Sequence, residues 1–70
     1  MLDARGLACP IPVIRTQQAI QEASPESLEV LVDNRPAKEN VTRFATRAGY
    51  SVSVTALEDG EFALLLTKNG

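Results

Sequence analysis

One thiol dominates the chemistry that this sequence can offer. Cys9 is the only cysteine among 70 residues, and the chain contains no histidine. Cys–His dyads, Ser–His–Asp triads and imidazole metal sites are therefore excluded. A single thiol with scattered carboxylates makes a poor zinc site, so we expect neither a metal nor a cofactor. Any reaction at Cys9 must proceed without a histidine base from its own chain.

The prolines after Cys9 indicate how its thiol is presented. Pro10 favours extended backbone at Cys9, and proline suits the first turn of a helix, so Cys9 is predicted to be a helix N-cap with a partly exposed sulfur. The helix dipole and the Ile11 N–H would then lower the pKa of the thiol. Because Pro12 disfavours helical backbone at Ile11, the regular helix could instead begin after Pro12. A rigid elbow of two prolines would then present the thiol.

Each residue near the thiol has two interpretations. Cys9 itself could be a small buried hydrophobic residue, which is common for free cysteine. Arg5 lies four residues earlier, across Gly6, where its guanidinium could stabilise a thiolate or persulfide. It could equally form only a surface ion pair with Asp3. Ile11 could contact a docking protein or pack into the core.

A second candidate surface follows from the spacing of basic residues. Arg35, Arg43 and Arg47 recur at multiples of four, so they share one face of a predicted helix, and Lys38 lies beside it. This face is predicted either to dock an acidic partner protein or to be an ordinary solvated helix surface.

The thiol segment and the basic helix must be positioned by a small fold, since 70 residues allow one domain, assigned here to residues 1–70. Hydrophobic periodicity predicts the order βαβαββ. This order favours an α/β two-layer sandwich, with a four-stranded mixed sheet and both helices on one face. The predicted elements are a strand at 2–4, a helix from 10 to about 23, a strand at 28–33, a helix that starts at 34–36 and is capped by Gly49, and strands at 50–56 and 62–67.

The predicted core comes from the apolar positions of these elements. On the first helix, Val13, Ile14, Ile20 and Ala23 should form one face, with Thr16 on the opposite, polar face. The residues predicted to be largely buried elsewhere are Val30, Val32, Val41, Phe44, Val52, Val54, Leu64 and Leu66.

Residues 2–13, LDARGLACPIPV, resemble the N-terminal signature of the TusA/SirA/YedF-like sulfur carriers, a Cys-Pro-x-Pro box after an Asp-x-Arg-Gly-Leu lead. Chain length, element order and box position agree with this family. Residues 33–44, DNRPAKENVTRF, look most like its YedF branch, which is linked with selenium metabolism. Ile11 stands where the TusA branch typically has an acidic residue, which argues against that branch's tRNA-thiolation pathway.

The resemblance implies that Cys9 carries a persulfide sulfur, as a relay between proteins rather than as a stand-alone enzyme. The donor would be a cysteine desulfurase or a rhodanese-like protein, and a second protein would accept the sulfur, or selenium in its place. In the YedF branch such a domain often precedes a DsrE-like domain, so residues 1–70 could be the N-terminal part of a longer protein.

Two other functions remain open on the residues alone: an interaction or regulatory module without chemistry, and a single-thiol redox sensor. A net charge of −2 argues against direct nucleic-acid binding. No apolar run approaches the roughly 20 residues of a membrane span, and no secretion signal precedes residue 9. With a lone cysteine, these features predict a reducing cytoplasm.

Overall fold

The sheet is mixed because its first strand enters beside the second in parallel, whereas the last two strands form an antiparallel pair. The computed structural model describes residues 2–8 and 10–69, and its strand order is β1-β2-β4-β3. Strand β1 pairs parallel with β2, and β4 pairs antiparallel with both β2 and β3. The elements are β1 (Leu2–Asp3), α1 (Ile11–Ala23), β2 (Ser27–Val32), α2 (Arg35–Arg47), β3 (Tyr50–Ala56) and β4 (Phe62–Lys68). The predicted α/β two-layer sandwich is confirmed.

The register of the strands aligns apolar side chains on the face that the helices cover. Val30 lies opposite Leu2 on one side and Leu64 on the other, and all three contribute to the core. The neighbouring pair in the register, Glu29 and Leu65, faces the opposite side of the sheet, where both residues are exposed. A sheet with one covered and one wet face is the usual result of such alternation.

The core includes five of the eight residues predicted to be largely buried, and the other three are corrections. Val30, Val32, Val41, Leu64 and Leu66 are fully buried, whereas Val52 is only half-buried.

Val54 was predicted to be buried, but 45% of it is exposed. It lies in β3, which is an edge strand whose buried residue is Tyr50, at the opposite end. The prediction for Phe44 is also wrong in degree, because this side chain is only half-buried. Val54 borders an opening beside α2 that Lys38 and Arg43 also line, so the packing of α2 on β3 leaves this part of the strand partly uncovered.

The buried face of α1 agrees with the predicted one only in part, since Val13 and Ile20 pack against the core as predicted. Thr16 was assigned to the polar face but is fully buried, while Ile14 is 39% exposed. The Thr16 hydroxyl donates to the carbonyl of Pro12, one turn earlier, at 2.9 Å. Because this local bond satisfies the hydroxyl, threonine can be buried without an unpaired donor. The buried row of α1 therefore begins with Pro12 and Thr16.

Helix α2 begins and ends as its sequence predicts. The Asn34 side chain accepts a hydrogen bond from the Ala37 N–H at 2.8 Å, which caps the helix start. Pro36 lies in the first turn, where no helical hydrogen bond requires its N–H. Gly49, just beyond the helix, has a φ of +92°, a left-handed conformation that glycine adopts without strain.

Candidate functional site

The loop between β1 and α1 is fastened to the end of β2. The Ala4 N–H donates to the Leu31 carbonyl at 2.8 Å, and the Gly6 N–H donates to Asp33 Oδ2 at 2.7 Å. Gly6 has a φ of +76°, which permits the turn at this point. Two bonds to one neighbouring strand fix the course of the chain just before Cys9.

Asp3 and Arg5 form a tight pair on the outside of this loop. Arg5 donates from Nη2 to Asp3 Oδ2 at 2.8 Å and from Nε to Asp3 Oδ1 at 2.9 Å, a two-pronged geometry that strengthens such pairs. Its third contact runs from Nη1 to Glu61 Oε1 at 3.3 Å.

The Arg5–Asp3 hydrogen bond lowers the pKa of Asp3 to about 2. The same pair, with Glu61, raises the pKa of Arg5 further above its ordinary value. The predicted ion pair of Asp3 and Arg5 is thus present, and Glu61 extends it. Whether Arg5 also assists Cys9 stays a prediction, because Cys9 lies outside the described residues.

The two prolines frame the position of the thiol differently from the prediction. Helix α1 begins at Ile11 with Pro10 as its N-cap residue, one residue after the predicted cap at Cys9 and before the alternative start beyond Pro12. The Ile11 N–H donates to the Ala8 carbonyl at 2.8 Å. That N–H was predicted to pair with the sulfur, so this part of the site prediction is corrected.

A helix that begins at Ile11 still accommodates Pro10 and Pro12, because neither proline lies where a helical hydrogen bond needs its N–H. The exposure and titration of Cys9 remain predictions. Its two neighbours along the chain, Ala8 and Pro10, are both exposed.

A cleft of about 300 Å³ opens beside Pro10, between the start of α1 and the side of α2. Half-buried Val13 and Phe44 supply apolar walls, and two guanidinium groups supply positive charge. The lining residues are Pro10, Val13, Asn40, Arg43, Phe44 and Arg47. Cys9 is bonded directly to one of them.

Of the four predicted docking residues, only two, Arg43 and Arg47, line the cleft beside Pro10. Lys38 instead lies over the Phe62 ring, with its Nζ 4.9 Å from the ring centre, a cation–π arrangement. Arg35 is exposed in the first turn of α2, about 18 Å along the helix axis from Arg47. The structure therefore brings half of the predicted set to the thiol segment.

Sequence reasoning missed Asp33 and the cleft wall at Phe44. A signal for Asp33 existed, since it follows the buried strand β2, and the parallel strand β1 must end at the same edge of the sheet. Phe44 was assigned to the core because its spacing matches Val41 and Ala45. Only the packing of α1 on α2 shows that it borders an opening.

The arrangement supports thiol chemistry and little else. A single cysteine, bordered by exposed residues and held by an anchored loop on one side and a helix start on the other, could exchange sulfur with another protein. Among residues 2–8 and 10–69, no helix is long and apolar enough to cross a membrane.

A two-layer α/β domain with a lone cysteine just ahead of its first helix defines a class of small thiol proteins, and comparisons with known proteins specify which one. The family model described as Sulfurtransferase TusA matches residues 1–68. The chain therefore belongs to the TusA family of sulfur carriers.

Individual relatives agree with this assignment. A candidate sulfur carrier protein of Methanocaldococcus jannaschii is 40% identical over 68 residues, which cover 96% of this chain and 91% of the relative. Sulfur carrier protein TusA of Allochromatium vinosum is 29% identical over 69 residues, with 97% and 91% covered. The crystal structure of a SirA-like protein from Desulfitobacterium hafniense superposes with a TM-score of 0.85 at 31% identity, covering 99% of this chain and 96% of that one. As a sulfur carrier, the protein interacts with a sulfur donor and a sulfur acceptor.

Proposed function

We propose that Cys9 carries one sulfur atom as a persulfide and relays it between two proteins. The observation that carries this proposal is the family match, which spans position 9, in a chain whose only thiol is Cys9. A sulfur held covalently as a persulfide requires a cysteine sulfur, and the chain offers one candidate.

The transfer balances without an added oxidant or reductant. The Cys9 thiolate attacks the outer sulfur of a donor persulfide, a new S–S bond forms at Cys9, and the donor's S–S bond breaks. The donor leaves as a thiolate, and the terminal proton of the persulfide stays with the transferred sulfur. A thiolate or other nucleophile of the acceptor then takes the outer sulfur, which restores the Cys9 thiolate. Such exchange depends on thiolate character, access and the leaving group, and histidine is not needed.

In this proposal the residues around Cys9 hold the chain in place on either side of the thiol and take no part in the chemistry. Asp33 holds the preceding loop through Gly6, and Pro10 and Pro12 restrict the chain that follows. Arg5 has its guanidinium bound to two carboxylates, so its main effect is to brace the loop.

The partners follow from the chemistry of the relay, which suits a reducing cytoplasm. A cysteine desulfurase or a rhodanese-like protein, each of which forms a cysteine persulfide, supplies the sulfur. Residues 33–44 favour the YedF branch, in which the cargo would be sulfur or selenium.

Intact-mass measurement tests the proposal. The purified protein is incubated with a cysteine desulfurase and cysteine, separated from them, and weighed before and after treatment with dithiothreitol. We expect one added sulfur atom that the reductant removes. The Cys9→Ser variant, with its fold checked by circular dichroism, should gain nothing.

The reductant is essential because two added oxygen atoms have nearly the mass of one sulfur. A sulfinic acid at Cys9 would survive dithiothreitol, whereas a persulfide would not. Addition of oxygen alone would favour the redox sensor, and no addition to the wild-type protein, even from a small polysulfide, would contradict the carrier role.

A further inference from the structure

Arg43 and Arg47, which line the cleft beside Pro10, differ from Arg5 in whether their charge is paired with a carboxylate. Arg5 is bound to two carboxylates, and these are the ion pairs within the described part of the chain. Neither Arg43 nor Arg47 takes part in one, and both are exposed. Two guanidinium groups, four residues apart on one helix, therefore face an opening without a bound counter-charge.

The cleft also offers apolar surface of a size that a side chain can use. Pro10, Val13 and Phe44 line it together with the arginines, and its volume of about 300 Å³ lies at the lower end of ligand sites. A concave apolar surface bordered by arginine suits a peptide with an apolar side chain flanked by carboxylates.

The charge of the cleft is opposite to that of the whole protein. The chain carries a net charge of −2, yet no acidic residue lines this opening. A basic cleft on an acidic protein selects an acidic partner surface, since the rest of the molecule repels it. Because Cys9 is bonded to Pro10, a peptide seated here would bring its own reactive sulfur to the thiol.

We infer that the cleft formed by Pro10, Val13, Phe44, Arg43 and Arg47 docks an acidic segment of the proteins that exchange sulfur with Cys9. The inference rests on the proposed function for its biological meaning. It assigns docking to Arg43 and Arg47 and excludes Arg35, which the sequence pattern placed in the same group.

A pair of reactive peptides tests the inference without any sulfur transfer. Each peptide carries one cysteine, activated as a 2-thiopyridyl disulfide, next to leucine. In one peptide the flanking residues are glutamate and in the other glutamine. Attack by the Cys9 thiolate on the peptide sulfur forms a protein–peptide disulfide and releases thiopyridone, whose absorbance gives the rate.

We expect the acidic peptide to react about ten-fold faster than the neutral one at low salt, the lower range of electrostatic steering. The preference should shrink as salt is added. Arg43→Gln should reduce the ratio toward one. Arg35→Gln removes the same charge from the same helix row, two turns away, and should leave the ratio unchanged.

Three results would overturn the inference: equal rates for both peptides with the wild-type protein, an equal loss of preference in Arg35→Gln and Arg43→Gln, or a slower reaction of Arg43→Gln with the neutral peptide. The last would mean that Arg43 acts on the thiol itself. Failure here leaves the mass test of sulfur loading unaffected, and failure of sulfur loading leaves the peptide ratio unaffected.

Discussion

The chain before Cys9 and the cleft after it show opposite uses of charge. At the loop that follows β1, Asp3 and Arg5 bond each other, and Asp33, just after β2, accepts from the Gly6 N–H. In the cleft, Arg43 and Arg47 have no ion pair among the described residues, and Phe44 is left half-buried. Paired charges fix the backbone, whereas unpaired charges beside apolar surface remain available for binding. The difference suggests that one side positions the thiol and the other receives the partner.

The largest expected effect is on the free energy of unfolding, which should fall more for a core residue than for a residue of the cleft wall. Leu64→Ala should lower the free energy of unfolding by about 2–5 kcal/mol, because Leu64 is fully buried. Phe44→Ala should cost roughly 2 kcal/mol, less than the 3–5 of a buried phenylalanine, because its side chain is already partly exposed to solvent. Urea unfolding of both variants measures this. If Phe44→Ala lowered the free energy of unfolding by more than Leu64→Ala, the cleft wall would belong to the core.

The anchored loop should show an intermediate effect. Asp33→Ala removes the acceptor of the Gly6 N–H, so we expect a loss of about 1.5 kcal/mol. Reaction of Cys9 with iodoacetamide should also change, because the preceding loop is released. Glu29→Ala, which removes an exposed carboxylate from the strand that Asp33 follows, is the matched control and should alter neither. If Asp33→Ala matches that control, the loop does not depend on this bond.

The smallest effect concerns acid stability. Since the folded-state pKa of Asp3 is depressed from 3.8 to about 2, its contribution to stability is present above about pH 4 and lost as pH falls toward 2. Wild-type protein should melt slightly higher than Asp3→Asn at pH 5, and the difference should vanish near pH 2. The pair is exposed, so added salt should shrink the difference. If the difference in melting temperature persisted at pH 2, the ionised Asp3 carboxylate would not be its cause.

Periodicity and end signals predicted the fold well because they record local physics. Gly49 and Asn34 mark where a helix can end and begin, and the alternation from Tyr50 to Ala56 requires a strand. The errors fall where burial depends on which element lies opposite. Val54 has the right period but lies on an edge strand, and Thr16 is polar but satisfied by Pro12. A single sequence carries neither kind of information.

The site was predictable to the extent that covalent order determines it. Cys9, Pro10 and Pro12 are adjacent in the chain, so sequence alone placed the thiol before a helix. The contacts of Asp33 and of Arg43 join segments that lie far apart in sequence. Helical spacing grouped Arg35 with Arg43, whereas the packing of α1 against α2 places only the latter beside Pro10.

Release of the carried atom tests the central claim most directly. Protein loaded by a desulfurase and freed of donor is treated with cyanide, which removes the outer sulfur of a persulfide as thiocyanate and leaves the Cys9 thiolate. We predict about one equivalent of thiocyanate per chain, since the chain has one cysteine, and none from Cys9→Ser. Equal thiocyanate from the two proteins, or none from the wild type, would contradict a sulfur carrier that works through Cys9.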